Sequence, residues 1–275
     1  MAGRRRGASR SASGILNAHN LPTSLTRSFP RPTAATLVCA VLCSGAMGMA
    51  APASAQTAPG VRDLVIQAAD DVRRLVSTDS AAILSIGGIG AVIGGVGDRA
   101  LSDDMSRSGA LKDLFAPGET IGGARMQIAG ALATYTIGRV TANETAARIG
   151  ADLIRAQLVT QTITGTIKAA VGRTRPDGTQ YSFPSGHAAT TFASATVLQR
   201  NLGWKVGVPA YVVASYVAAS RIQVRRHFLS DVTFGAALGI AAGRTVTIGR
   251  GTHRFALAPA AVPGGAGVTF TLLEN

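Results

Sequence analysis

The chain has little of what several large functional classes require. Only two of its 275 residues are cysteine, Cys39 and Cys43, so a mature chain starting beyond residue 55 has no thiol. For such a chain disulfide frameworks, cysteine zinc sites and cysteine nucleophiles are excluded together. Aromatic residues make up 5% and Trp204 is the single tryptophan, which leaves no aromatic belt. Charged residues are also sparse, at 15%, against 47% hydrophobic residues and 33 glycines. That balance excludes intrinsic disorder, collagen-like repeats and a long coiled coil. Between Met126 and Arg250 the only carboxylates are Glu144, Asp152, Asp177 and Asp231. Two-metal hydrolytic centres need more ligands than this leaves, so no metal is expected.

What is present is unevenly placed. The formal charge is +13, but residues 1–55 carry six arginines and no acid. The rest of the chain is only +7, and that charge is dispersed, which argues against nucleic acid as a partner. Arg4, Arg5, Arg6, Arg10, Arg27 and Arg31 form a basic leader ahead of an apolar stretch, Thr36–Ala50. Ala53-Ser54-Ala55 then offers the small residues a signal peptidase reads, with Gln56 as the mature start. The competing reading is an uncleaved anchor, but 15 apolar residues fall short of the ~20 that a spanning helix needs. Residues 1–55 are therefore assigned as a signal peptide, 56–79 as a linker or short helix, 80–250 as a helical domain and 251–275 as a tail.

Apolar periodicity places six helices in that domain. Ser80–Gly97 is charge-free, and Gly90 and Gly94, four apart, allow close helix contact. Asp98–Glu119 is polar and loop-like. Met126–Gly138 is the second helix. Thr141 and Glu144 have capping-box spacing and open a third, with Ile149, Leu153, Ala156, Ile163 and Ile167 on its apolar face and Arg148, Asp152 and Arg155 elsewhere. The others run from about His187 to Arg200, from Val206 to Ser220, and from near His227 to near Gly243. Phe255–Leu257 and Val268–Leu272 flank Pro263-Gly264-Gly265, the pattern of a short β-hairpin. The fold expected is all-α, a six-helix bundle core with that hairpin at the C-terminus. At 1.5 Å per residue the apolar runs cover roughly 18–27 Å against a hydrocarbon core of ~30 Å, so a buried periplasmic domain and a thin membrane bundle both fit.

Three short blocks carry the chemistry. The first is Lys168-x6-Arg175-Pro176, at the end of the third helix. Arginine offers a planar fork for phosphate oxygens and lysine a mobile point charge; a basic helix end complementing the macrodipole would look the same. The second is Pro184-Ser185-Gly186-His187. Ser185 and Gly186 stand at a helix start, where free N–H groups favour an anion, and a histidine there can exchange a proton near neutral pH. An ordinary serine cap is the alternative. The third is Ser220-Arg221-x5-His227-x3-Asp231. His227 and Asp231 are four apart, hence on one face of one helical turn. A carboxylate on one imidazole nitrogen raises the basicity of the other, which makes a nucleophile. An i,i+4 surface pair is the alternative.

Together, in this order and at these spacings, the blocks resemble the signature of the phosphatidic acid phosphatase type 2 superfamily. That superfamily also holds bacterial class A acid phosphatases and vanadium haloperoxidases. The resemblance covers Lys168–Asp231 directly and extends over roughly 80–248 through the helix order. It implies that His227 attacks phosphorus and forms a phosphohistidine, that Asp231 orients His227, and that His187 protonates the leaving oxygen. It further implies that Lys168, Arg175, Ser185, Gly186 and Arg221 bind the phosphate. The function expected is a metal-independent phosphatase acting on phosphomonoesters or pyrophosphates, either lipid phosphates or small esters. No cofactor is expected, with vanadate as an inhibitor. A vanadium-dependent haloperoxidase, with vanadate as cofactor, is the alternative. A non-catalytic envelope protein on the same scaffold is the second alternative. The leader implies export, to the periplasm or to the inner membrane with the site facing the periplasm, and membrane contact. Substrate identity and oligomeric state stay open at this level.

Overall fold

The computed structural model describes residues 58–248 and the strands 253–262 and 265–274. The expected signal peptide lies outside the described residues, as do Pro263 and Gly264 of the expected turn. Among the described residues ten helices follow in order. They are α1 (Val61–Arg74), α2 (Thr78–Gly95), α3 (Asp98–Arg107), α4 (Gly109–Phe115), α5 (Pro117–Gly122), α6 (Ala124–Val140), α7 (Glu144–Val171), α8 (Gly186–Leu202), α9 (Trp204–Gln223) and α10 (Leu229–Val246). Strands β1 (His253–Val262) and β2 (Gly265–Glu274) pair antiparallel, with His253 opposite Glu274 and Val262 opposite Gly265.

Helices α2, α6, α7, α8, α9 and α10 are the six apolar segments of the expected bundle. Their core is built from Ile149, Leu153, Ala156 and Val159 of α7, Ala189, Ala193, Val197 and Leu198 of α8, and Leu238, Ala241, Ala242 and Val246 of α10. Ile163 and Ile167 pack against it. The core is rich in alanine because these helices lie very close together. A Cβ on Gly239 would stand 2.2 Å from the Ala189 carbonyl oxygen, and one on Gly235 2.6 Å from that of Ser185. The α8–α10 pair therefore requires glycine along this seam, and the seam fixes the N-terminus of α8 against α10.

Three expectations are corrected. Asp98–Glu119 is not a loop: it forms α3, α4 and α5, with the Ser108 hydroxyl accepting from Leu111 N–H and Pro117 opening α5. The cap of α7 is Asn143, whose side chain accepts from Ala146 N–H at 3.0 Å, not Thr141. Asp152 and Arg155 do not face away from the core. Asp71 of α1 takes the Arg155 Nε–H at 2.7 Å, and Asp152 takes Nη1–H at 3.2 Å, so α1 buries the polar edge of α7 as an ion-paired network. Gly172, at φ 58°, then ends α7 in the left-handed conformation and turns the chain toward the site.

Candidate active site

The three blocks meet where α7, α8, α9 and α10 end or begin. Ser185 is the N-cap of α8 and fully buried. Its hydroxyl accepts from Ala188 N–H, and its own N–H donates to the Asp231 carbonyl at 3.0 Å. That bond ties the second block to the third. Gly186 is the first residue of α8, and His187 follows it. Arg221 lies in the last turn of α9 and is 2% exposed. His227 N–H donates to the Arg221 carbonyl at 3.2 Å, which ties the two ends of the third block together.

The sixth helix starts near His227, as expected, but His227 itself lies just outside it. Phe228 is the N-cap of α10, so His227 sits one residue outside it and Asp231 occupies its third position. The reason is Asp231 itself: Oδ2 accepts the Phe228 N–H at 2.8 Å, half of a capping box, and stops the helix there. His227 Nδ1 is 3.7 Å from Asp231 Oδ2, an ion-pair distance longer than a hydrogen bond, and makes no hydrogen bond of its own among the described residues. Burial lowers the His227 pKa below the ordinary imidazole value, and Asp231 offsets this only in part. Burial would raise Asp231, but its contacts with His227, Ser182, Phe228 N–H and Arg173 outweigh that and hold it below the usual carboxylate range.

Lys168 reaches from α7 to the 173–185 loop, where Nζ donates to the Tyr181 carbonyl at 2.6 Å. Tyr181 is held at φ 69° to present that oxygen, an uncommon conformation for a residue with a side chain. Burial, then the charge of Arg175, lowers the Lys168 ammonium to about 8, while Asp231 raises it. Arg175 lies near enough to Lys168, Arg221 and Asp231 to sense all three charges. His187 is pushed down to about 4 by burial and then by Arg221, with Glu119 acting in the opposite direction. Four buried nitrogens here lack a hydrogen-bond partner: Arg175 Nε, Arg221 Nε, His187 Nε2 and His227 Nδ1. His227 Nδ1 faces the Asp231 carboxylate; buried donors are normally satisfied, so the other three nitrogens mark where an anion would be held. All eight residues singled out in the sequence thus belong to one region of the fold.

Four more residues belong there that the sequence did not reveal. Ser182 donates its hydroxyl to Asp231 Oδ2. Arg173 Nη1 donates to Asp231 Oδ1 and to the Ser230 hydroxyl, each at 2.7 Å, and Nη2 to Asp98 Oδ2 at 2.8 Å. Asp98, from α3, in turn accepts from Ser230 N–H at 2.9 Å. Glu119 of α5 accepts from Arg221 Nη1, and its other oxygen is 3.6 Å from His187 Nε2. The only available signal was that Asp98 and Glu119 bound the polar stretch read as a loop. Among the described residues no group of three or more His, Cys, Asp and Glu could hold a metal ion.

A lipid A 1-phosphatase from Porphyromonas gingivalis is 49% identical over 80 residues, 28% of this chain and 18% of that protein. A decaprenylphosphoryl-5-phosphoribose phosphatase from Mycobacterium tuberculosis is 37% identical over 107 residues, 35% of this chain and 59% of that protein. The chain therefore spans less than two thirds of the length of either relative. It has a distant structural likeness to the transmembrane PAP2 type phosphatidylglycerolphosphate phosphatase from Bacillus subtilis, at TM-score 0.47 and 18% identity, covering 67% of this chain and 92% of that one. Residues 150–254, the segment that carries all three blocks, match the model of the PAP2 superfamily.

Proposed function

We propose that this protein is a phosphoric ester hydrolase that works without a metal and passes through a phosphohistidine on His227. The observation that carries the reading is the set of unpartnered nitrogens on Arg175, Arg221 and His187, near His227 where the ends of four helices meet. Lys168, Arg175 and Arg221 neutralise a phosphate, and the N–H groups of Gly186 and His187, the first two residues of α8, complete its seat. The imidazole of His227 attacks phosphorus while Asp231 stabilises the imidazolium that forms. His187 gives its proton to the departing oxygen, then takes one from the water that releases phosphate. Its low pKa in the free protein suits this role, because a bound phosphate dianion raises it toward neutrality.

The substrate class we propose is a lipid-linked phosphate. Two observations favour it over a soluble ester. The relatives that match are named for phosphorylated lipids. Helix α2 is long and apolar enough to cross a membrane, and Ile86, Ile89, Val92 and Ile93 on it are exposed although its glycines pack against α10. The protein is then exported and membrane-associated, with the site on the periplasmic side. The test is hydrolysis of a lipid phosphate and of a water-soluble aryl phosphate by the purified full chain, with and without EDTA. Activity that survives EDTA, is inhibited by orthovanadate and favours the lipid supports the proposal. Activity restored to chelated protein by a divalent ion overturns the metal-free reading, and vanadate-dependent halide oxidation replaces it with the haloperoxidase.

A further inference from the structure

Glu119 stands in the site without belonging to any of the three blocks. Helix α5, only six residues long, is pressed against its neighbours through both of its outer glycines. A Cβ on Gly118 would lie 2.2 Å from Ser220 Oγ; one on Gly122 would lie 2.3 Å from Val217 Cγ1 and 3.0 Å from His187 Cδ2. A side chain at either position would push α5 off α9. The close approach brings the Glu119 carboxylate onto Arg221 Nη1 and to 3.6 Å from His187 Nε2. Its side chain is 63% exposed, whereas that of Arg221 is 2% exposed. An exposed, rotatable carboxylate therefore covers a buried guanidinium from the solvent side.

We infer that Glu119 is an internal anion seated where a substrate phosphate oxygen goes, so that a phosphate ester must displace it from Arg221 and His187. The inference rests on the phosphatase reading above. A carboxylate and a phosphate compete for the same guanidinium N–H groups, because the arginine fork fits both. They also repel each other, so an ionised Glu119 and a phosphate dianion do not share one donor cluster. Glu119 is ionised at neutral pH: burial would raise its carboxyl, but the hydrogen bond and charge of Arg221, with His187 and Arg226, hold it below its usual range. Swinging the side chain into solvent leaves α5 in place and adds Arg221 Nη1 to the unpartnered Nε as phosphate donors. Small anions, among them the orthophosphate product, pay the full displacement cost. A lipid substrate offsets it with binding energy from its apolar part. Glu119 thus weakens product inhibition and selects for larger esters.

The test is inhibition of the full-length enzyme by orthophosphate and orthovanadate, together with calorimetric binding of orthophosphate in a His227→Ala background. Glu119→Gln, which keeps the shape and removes the charge, is expected to tighten both anions by about tenfold, the scale of one charge-assisted hydrogen bond. A residue that merely braces Arg221 would give the opposite sign, because its loss would leave the guanidinium misplaced. Unchanged or weaker orthophosphate binding in Glu119→Gln overturns the inference. Should that variant not fold, Glu119→Asp decides in its place: its shorter arm loosens the competing contact, and equal or weaker anion binding counts against the proposal. If the wild type hydrolyses no phosphate ester and binds no orthophosphate, the phosphatase reading and this inference fall together. If it does both while the variants show no tightening, only this inference falls.

Discussion

Arg173 Nη1 lies 2.7 Å from Asp231 Oδ1, and Asp231 is the carboxylate beside His227. The same guanidinium bonds Asp98 through its other terminal nitrogen and covers the Phe228 ring at 4.4 Å from its centroid. One arginine from the first block thus clamps the carboxylate of the third block to a helix that precedes both. Asp98 and Asp231 are each nearly or fully buried. Removing their cation leaves two buried carboxylates without it.

Arg173→Met is therefore expected to destabilise the protein by about 3 kcal/mol, within the range for breaking a buried ion pair. Where the variant still folds, kcat/KM should fall by about 10- to 100-fold, because the group that orients His227 is no longer held. Denaturant unfolding and steady-state kinetics on the same preparation check both. Arg173→Lys should recover part of the stability and less of the rate, since lysine cannot span two carboxylates.

Lys168 sets an alkaline limit. Its ammonium is lowered to about 8, so the cation is present below that pH and lost above it. A lysine that binds phosphate only when charged predicts that kcat/KM falls as pH rises through about 8. Lys168→Arg should move this limb out of the measurable range, because a guanidinium stays protonated there. A pH–rate profile of both proteins decides it; an alkaline limb unchanged in Lys168→Arg assigns the titration to another group.

His187 as the general acid predicts a dependence on the leaving group. An aryl phosphate expels a stable phenolate and needs little protonation. An alkyl phosphate expels an alkoxide and needs a full proton. His187→Ala should lose about 10²- to 10⁴-fold on the alkyl ester and much less on the aryl ester. Equal losses on both would assign His187 to binding instead.

Much of the bundle was legible because its helices are apolar and bounded by signals such as Ser185 at the start of α8. The eight candidate residues were legible because their blocks are short and contiguous. What stayed hidden depends on contacts between distant segments. α3–α5 have too few apolar residues to show a periodicity, because what they supply to the site is polar: Asp98 to Arg173 and Glu119 to Arg221. Asp152 and Arg155 read as surface charges because nothing in α7 announces that Asp71, some 80 residues earlier, will cover them. His227 read as helical because spacing alone does not show that Asp231 caps the helix behind it.

The central claim is that His227 carries the phosphoryl group, and trapping of the phosphoenzyme by an alkaline denaturing quench, which preserves phosphohistidine, tests it most directly. Wild type and His187→Ala should both yield an acid-labile, alkali-stable phosphohistidine with an aryl phosphate. Asp231→Asn should yield it more slowly, since the ring remains but loses its orienting carboxylate. His227→Ala should yield none with any substrate. A labelled phosphoenzyme that persists in His227→Ala would contradict the account.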